Sequence, residues 1–207
     1  MNSFAIEPIT AITDLLLSIE CFVFSFLVFK RAHSWQRLFW VGFFTCVGMG
    51  AFLGAVFHGL SFARGLMLWR GVNLSLILGI TFFPLAIFSL KTKIVPKWLF
   101  TLFLAVLILA FFFFYNSQNF LHILSYEGGA LTICTLLALI YLKKGYKVAK
   151  PILIGIAISL VAALAQATNM RLLFLNNNDI FHLIQMIAMV FFLKSWETSQ
   201  LLKGEVR

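Results

Sequence analysis

The sequence predicts an all-α protein: a polytopic, seven-transmembrane-helix bundle with its N-terminus outside and its C-terminus in the cytoplasm. Composition is the first observation behind this prediction, because 62% of the 207 residues are hydrophobic and only 11% are charged. A soluble domain carries roughly a quarter charged residues, and one of this size could not bury so much apolar surface in a single core. The mean hydropathy of +1.00 agrees with a membrane protein.

The second observation is a series of apolar segments long enough to cross a bilayer, for which about 20 residues are needed. The connections between them are short, so residues 1–207 are predicted to form one domain. The first segment lacks a basic n-region and a small-residue cleavage site, and is predicted to be a retained helix. The predicted spans are about 9–29, 38–60, 66–90, 97–115, 119–142, 151–168 and 179–194.

The third observation is the uneven distribution of Lys and Arg. Short basic loops stay in the cytoplasm, and only Arg64, Arg70 and Arg171 would lie on the other side. The net charge of +9 is therefore assigned to topology and to anionic membrane lipids. No basic groove with interleaved aromatic residues predicts nucleic-acid binding. The residues predicted to be cytoplasmic are Lys30, Arg31, Arg37, Lys91, Lys93, Lys97, Lys143, Lys144, Lys147, Lys150, Lys194, Lys203 and Arg207.

The polar residues inside the spans collect in the outer half of the predicted bundle. Ionisable groups in hydrocarbon are costly and usually face the bundle interior or a wet cavity. Helices of alternating direction would place Asp14, His58, Glu127 and His182 at one level, which predicts a cavity open to the outer face. Glu20 lies deeper, either as a hydrogen-bonding residue between helices or as a functional one. The other outer-half polar residues are Glu7, Asn73, His122, Gln166, Asn169, Asp179 and Gln185.

Two local patterns orient the helices that carry the histidines. In the second span, small residues recur every four positions from Gly42 to Gly54 and end at His58, which predicts that this face looks inward. At the start of the last span, residues 176–178 are asparagines that suit a helix cap. Capping does not explain the later polar positions on the same face, His182 and Gln185.

Two stretches resemble a known family. LGAVFHGLSF is similar to the G-S-x-x-F-H-x-x-L segment of alkaline ceramidases, and NDIFHLIQMIAMVFF resembles the H-x-I-F-H or H-x-x-W-H opening of their last helix. The progestin and adipoQ receptors and haemolysin-III-like proteins share that opening. Together these proteins form the CREST superfamily of seven-helix membrane proteins, most of them known or suspected metal-dependent amide hydrolases.

The resemblance implies a zinc site whose first ligand is His58 and whose last is His182. Three family positions depart from the pattern: the Ser position is Gly54, the Asp position is Trp69 and the remaining His position is Asn178. Three N, O or S ligands suit catalytic zinc. Asp179 or Asp14 is the expected carboxylate ligand, Glu20 or Glu127 the expected general base, and Asn178, Gln185 and Asn73 the expected substrate-binding residues.

Three functions remain open on the sequence. One is a metal-dependent hydrolase of an amide or ester in a lipid-like substrate, in the inner membrane if the cell is bacterial. The second is a non-enzymatic receptor or binding protein for a small molecule or lipid. The third is a structural membrane protein whose buried polar residues only hold helices together.

Other functions are disfavoured. Lys194 lies too near the cytoplasmic end to hold retinal, and Pro84 is the single proline inside a span, where a transporter predicts paired broken helices. Ser-His-Asp catalysis lacks a placed serine. Cys21, Cys46 and Cys134 have unrelated spacings that fit neither a disulfide framework nor a zinc pair.

Overall fold

The computed structural model describes residues 7–31, 35–60, 65–90, 97–115 and 120–204, and within these ranges the chain forms seven α-helices and no β-strand. The all-α prediction is confirmed. Arg64, Lys91, Lys93, Glu205 and Arg207 lie outside the described residues, as do the side chains of Lys97 and Lys203. The helices are α1 Pro8–Arg31, α2 Trp35–Gly59, α3 Leu66–Ser89, α4 Lys97–Phe114, α5 Phe120–Lys143, α6 Ala149–Ala167 and α7 Asn177–Gly204.

Six of these helices, all except α4, are long and apolar enough to cross a membrane. The apolar stretch described within α4, Leu104–Phe113, is shorter, so a seventh crossing stays a prediction. Every predicted span overlaps a helix, and the last helix is longer than its predicted span, which ends near residue 194. Beyond that position α7 continues to Gly204 because its inward face still packs: Trp196 and Ser199 are buried.

Six helices enclose a central space, and the seventh lies outside them. Contacts run in a closed circuit from α1 to α2, α3, α5, α6, α7 and back to α1, which we call the ring. By contrast, α4 packs on α3 and slightly on α5. Among the described residues α4 contributes none to the lining of the central cavity. The ring is therefore the part of the fold that positions a site.

Two neighbouring pairs in the ring run parallel. In the α1–α7 pair, Thr10 contacts Asp179 near the start of both helices, and Arg31 contacts Glu197 near their ends. In the α3–α5 pair, Thr81 contacts Tyr126, and farther along both helices the Tyr141 hydroxyl donates to Ile87 and Phe88 carbonyls. The other four neighbouring pairs follow one another directly along the chain and are antiparallel.

Buried aromatic side chains close the circuit of six helices at the end opposite His58. Phe43 of α2 stacks on Phe83 of α3 with ring centroids 4.7 Å apart, and Phe83 lies 4.5 Å from Phe192 of α7. Trp40 packs edge-on against Phe43 and Phe83 and is fully buried. This cluster, the aromatic floor, joins three helices through apolar contacts alone.

The glycines of α2 allow close approach of both neighbouring helices. A Cβ added to Gly42 or Gly50 would lie about 3 Å from Phe82 or Leu76 of α3. A Cβ added to Gly54 would meet Asp14 of α1 instead. The stripe of small residues is thus packed against helices on both sides, as its spacing predicts.

Candidate functional site

The ring encloses a cavity of about 470 Å³ lined by residues from all six of its helices. This volume lies in the ~300–1,000 Å³ range of small-molecule pockets. Polar side chains from the starts of α1 and α7 and the end of α2 gather at one end, which we call the polar end. The aromatic floor lies at the other. The polar residues that line the cavity are Asp14, His58, Glu127, Ser159, Gln166, Asn178, His182 and Gln185.

The start of α7 is built by a reciprocal cap. Asn176 Oδ1 accepts the Asp179 backbone N–H at 3.0 Å, and Asp179 Oδ2 accepts the Asn176 backbone N–H at 2.8 Å. This arrangement is a capping box, which satisfies two backbone donors at a helix N-terminus. Asp179 Oδ1 also accepts the Thr10 hydroxyl at 2.7 Å, which ties α7 to α1. Capping by Asn176 was expected, and Asp179 takes part in the cap through Oδ2 while its Oδ1 binds α1.

His182, one turn farther along α7, is held between two α1 side chains. Its Nε2 lies 3.2 Å from Asp14 Oδ1, and its Nδ1 lies 3.1 Å from Thr13 Oγ1. The Thr13 hydroxyl also lies 3.0 Å from the Thr10 carbonyl. Thr13 and Asp14 thus hold the imidazole of His182 from its two nitrogens.

His182 and Asp14 are close enough to share a proton, because Nε2 and Oδ1 are within hydrogen-bond distance of each other. Both side chains are buried, where an unpaired charge would be costly. The contact can hold a proton beside the cavity and exchange it with a polar group placed there.

His58 occupies a more open position at the same end. Its Nδ1 lies 3.1 Å from Glu7 Oε2, and its backbone carbonyl accepts the Glu7 N–H at 3.2 Å. Glu7 directly precedes α1, so the two contacts fasten the start of α1 to the end of α2. His58 and His182 line the same cavity, as predicted from the level of their helices.

Three positions depart from the CREST motif, Gly54, Trp69 and Asn178, and each contacts identified residues. A Cβ on Gly54 would lie 2.8 Å from Asp14 Oδ2, so the Asp14 carboxylate occupies the space where a side chain at position 54 would go. Trp69 lines the cavity and packs on Phe57 with ring centroids 5.2 Å apart. Asn178 Oδ1 accepts the Gln166 side-chain N–H at 2.6 Å.

Several polar atoms along the cavity have no hydrogen-bond partner among the described residues. Two of them, Ser159 Oγ and Gln185 Oε1, belong to buried residues, and the third, Gln166 Oε1, belongs to a half-buried residue at the polar end. All three residues line the cavity, as does Glu127 from α5. Buried polar groups normally have a partner, so these side chains are available to a molecule in the cavity.

Three of the predicted site residues lie outside the cavity lining. Asn73 is fully buried, and its Nδ2 donates to the Tyr115 carbonyl at 3.1 Å, at the end of α4. Glu20 is half-buried on α1, and its Oε2 has no partner among the described residues. Neither residue is among those that line the cavity, and neither is Asp179. Six of the nine predicted site residues therefore meet at the cavity.

Sequence reasoning did not single out Thr10, Thr13 and Ser159. Thr10 and Thr13 are three positions apart, Thr13 directly precedes Asp14 and Thr10 lies about one turn before it, so T-x-x-T-D places all three on one side of α1. This pattern was a usable signal. Ser159 is a lone serine in an apolar helix, a pattern too common to identify a site.

The donor atoms at the polar end do not fit zinc in this arrangement. Within the described ranges, no three His, Cys, Asp or Glu side chains are grouped so that they could hold a metal ion. Both ring nitrogens of His182 and both oxygens of Asp179 contact protein partners, and His58 Nδ1 faces Glu7. Zinc binding stays a prediction from the resemblance to the CREST superfamily.

Comparisons with known proteins give a family and no relative of known activity. No curated protein and no solved structure matches the chain. One family model matches residues 9–200, which include the whole ring and the cavity. The chain belongs to this family, DUF6962, a family of unknown function.

Proposed function

We propose that this protein is an integral membrane binding protein that takes a single-chain, lipid-like amphiphile into the ring. The observation that carries the proposal is one cavity with polar side chains at one end and aromatic rings at the other. A polar head group would meet Asp14, His182 and Asn178, and a hydrocarbon chain would run toward Phe43 and Phe192.

The length of the cavity supports an extended hydrocarbon chain. Its lining follows α7 from Asn178 to Phe192, and at 1.5 Å per residue this is about 21 Å.

The lysine-rich ends of the helices support the membrane orientation that goes with this function. Lys30 and Arg31 end α1, and four lysines between 143 and 150 join α5 to α6. These segments lie at the end away from the cavity's polar end. With the positive-inside rule, the N-terminus is outside and the cavity's polar end faces the outer leaflet, in the inner membrane if the cell is bacterial.

Binding is tested by quenching of Trp69, which lines the cavity, with 9,10-dibromostearate in detergent micelles. We expect saturable quenching whose amplitude falls in Trp69→Phe, because the other four tryptophans of the chain remain. Ala51→Phe, which places a ring in the cavity, should abolish the saturable component. The matched control is Ala105→Phe on the exposed surface of α4, which should bind as the unmodified protein does. Equal quenching in Ala51→Phe and Ala105→Phe would contradict the proposal.

A second candidate is a metal-dependent hydrolase of a lipid-like amide or ester. It is favoured by the presence of His58, Asp14, His182 and Glu127 on the lining of one cavity. Holding a metal there would require the His182–Asp14 contact to open. Elemental analysis of protein purified without chelators decides the point: one zinc per chain, reduced in His58→Ala and in His182→Ala, is expected for a hydrolase. Less than stoichiometric zinc would exclude this candidate.

A further inference from the structure

The loop between α6 and α7, residues 168–176, presents apolar side chains outward. Leu172 and Leu175 exchange two backbone hydrogen bonds, at 3.1 and 2.9 Å, and this pair closes a tight turn. Leu173 and Phe174 form its tip and are 91% and 74% exposed. Such exposure of two large apolar residues at a loop tip is unusual in water.

The backbone of this loop holds the tip in place. Leu173 has a φ of +55°, in the left-handed region that large side chains rarely adopt. Asn169, at the other end of the loop, has a φ of +52°. The closing hydrogen bonds between Leu172 and Leu175 keep Leu173 in that conformation, so its side chain cannot fold back onto the protein without breaking the turn. The outward display is therefore built into the backbone.

The loop continues a surface that faces lipid. On α6, Leu160, Val161 and Leu164 are exposed apolar residues leading up to it. The loop begins where the membrane-length helix α6 ends and stops where α7 begins, so it lies at the edge of the bilayer. Arg171 lies beside the tip and is exposed, at a position suited to lipid phosphates.

We propose that the α6–α7 loop inserts Leu173 and Phe174 among the acyl chains of the adjacent leaflet, with Arg171 at the level of the head groups. The occupant of this apolar surface is thus lipid, because the surface is continuous with the exposed face of α6 and carries a cation at its border. The loop also connects Gln166 to Asn178, both of which line the polar end of the cavity. Insertion therefore places lipid next to that end, whether or not the cavity binds an amphiphile.

Spin labelling tests the insertion. Cys21 and Cys134 are fully buried, so Cys46→Ala leaves a background without an accessible thiol. Phe174→Cys is labelled in this background and placed in phosphatidylcholine vesicles containing phosphatidylglycerol. The control label is at Lys147→Cys, an exposed position in the α5–α6 connection. Collision rates with oxygen, which concentrates in lipid, are compared with those of a water-soluble nickel chelate.

We expect the ratio of oxygen to nickel collisions to be severalfold higher at position 174 than at position 147. An equal ratio would place the loop in water and overturn the proposal. Low collision rates with both reagents would place the loop against another protein molecule, and this result would also overturn the proposal. Leu173→Cys provides a second label at the tip, and because both tip side chains are exposed, neither variant removes a core contact.

Discussion

Replacing Gly54 with alanine is expected to move Asp14 away from His182 and to lower the free energy of unfolding by about 1–3 kcal/mol, the usual cost of overpacking. The new Cβ would lie 2.8 Å from Asp14 Oδ2 and 3.1 Å from its Cγ. The Asp14 side chain is short and buried, so it has little freedom to yield. Amphiphile binding should be lost with the contact, since Asp14 lines the polar end.

The matched control is Gly129→Ala on α5. Gly129 is exposed, and a Cβ there meets nothing within 4 Å. Alanine should stabilise this helix by about 0.5–1 kcal/mol, through backbone entropy alone. Unfolding in mixed micelles measures the change in the free energy of unfolding, and quenching of Trp69 by dibromostearate measures amphiphile binding. If Gly54→Ala behaves as Gly129→Ala does, the packing of Asp14 against α2 described above is wrong.

Replacing Asp14 and replacing His182 are expected to have strongly coupled effects on the free energy of unfolding. Asp14→Ala and His182→Ala should each lower the free energy of unfolding by about 1–3 kcal/mol, because each leaves a buried polar atom without its partner. The double variant should be less destabilised than the sum of the two by about 1–2 kcal/mol, as for residues in contact. The same variants should fail to bind dibromostearate.

A distant pair provides the control for this cycle. Ser199 donates to the Trp196 carbonyl near the end of α7, beyond the Arg31–Glu197 ion pair and away from the cavity. Asp14→Ala and Ser199→Ala should therefore be additive. Additivity in the Asp14–His182 cycle as well would mean that the two side chains do not share a proton. Gly54→Ala should cost little in the Asp14→Ala background, because the atom it meets is gone.

The helices could be predicted from the sequence because hydropathy is a local property. The exception is the end of α7, where Lys194 interrupts the apolar run although Trp196 still packs inward. Whether all seven helices cross the membrane stays a prediction, as does the orientation. The outside position of α4 could not be predicted, because it depends on the contact between α3 and α5, which are not consecutive in the chain.

The level of the polar residues could also be predicted, because alternating helices bring Asp14, His58 and His182 to one end. Their partners could not, since these depend on how each helix is rotated about its axis. Thr13 contacts His182 and Glu7 contacts His58, and the sequence left both pairings unassigned. Asn73, at a suitable depth, faces Tyr115 and not the cavity for the same reason.

The parallel course of α1 and α7 has an electrostatic consequence at the polar end. Each helix carries about half a positive charge at its N-terminus and half a negative charge at its C-terminus. Parallel neighbours place like ends together, and Glu7 and Asp179 lie at the two adjacent N-termini, where their negative charge offsets both dipoles. At the far end Lys30 and Arg31 lie in the last turn of α1, where their positive charge offsets the negative end of that helix, and Arg31 also pairs with Glu197 of α7. The acidic residues of the polar end thus neutralise a field that the helix arrangement itself creates, and a ligand head group enters a region already balanced in charge.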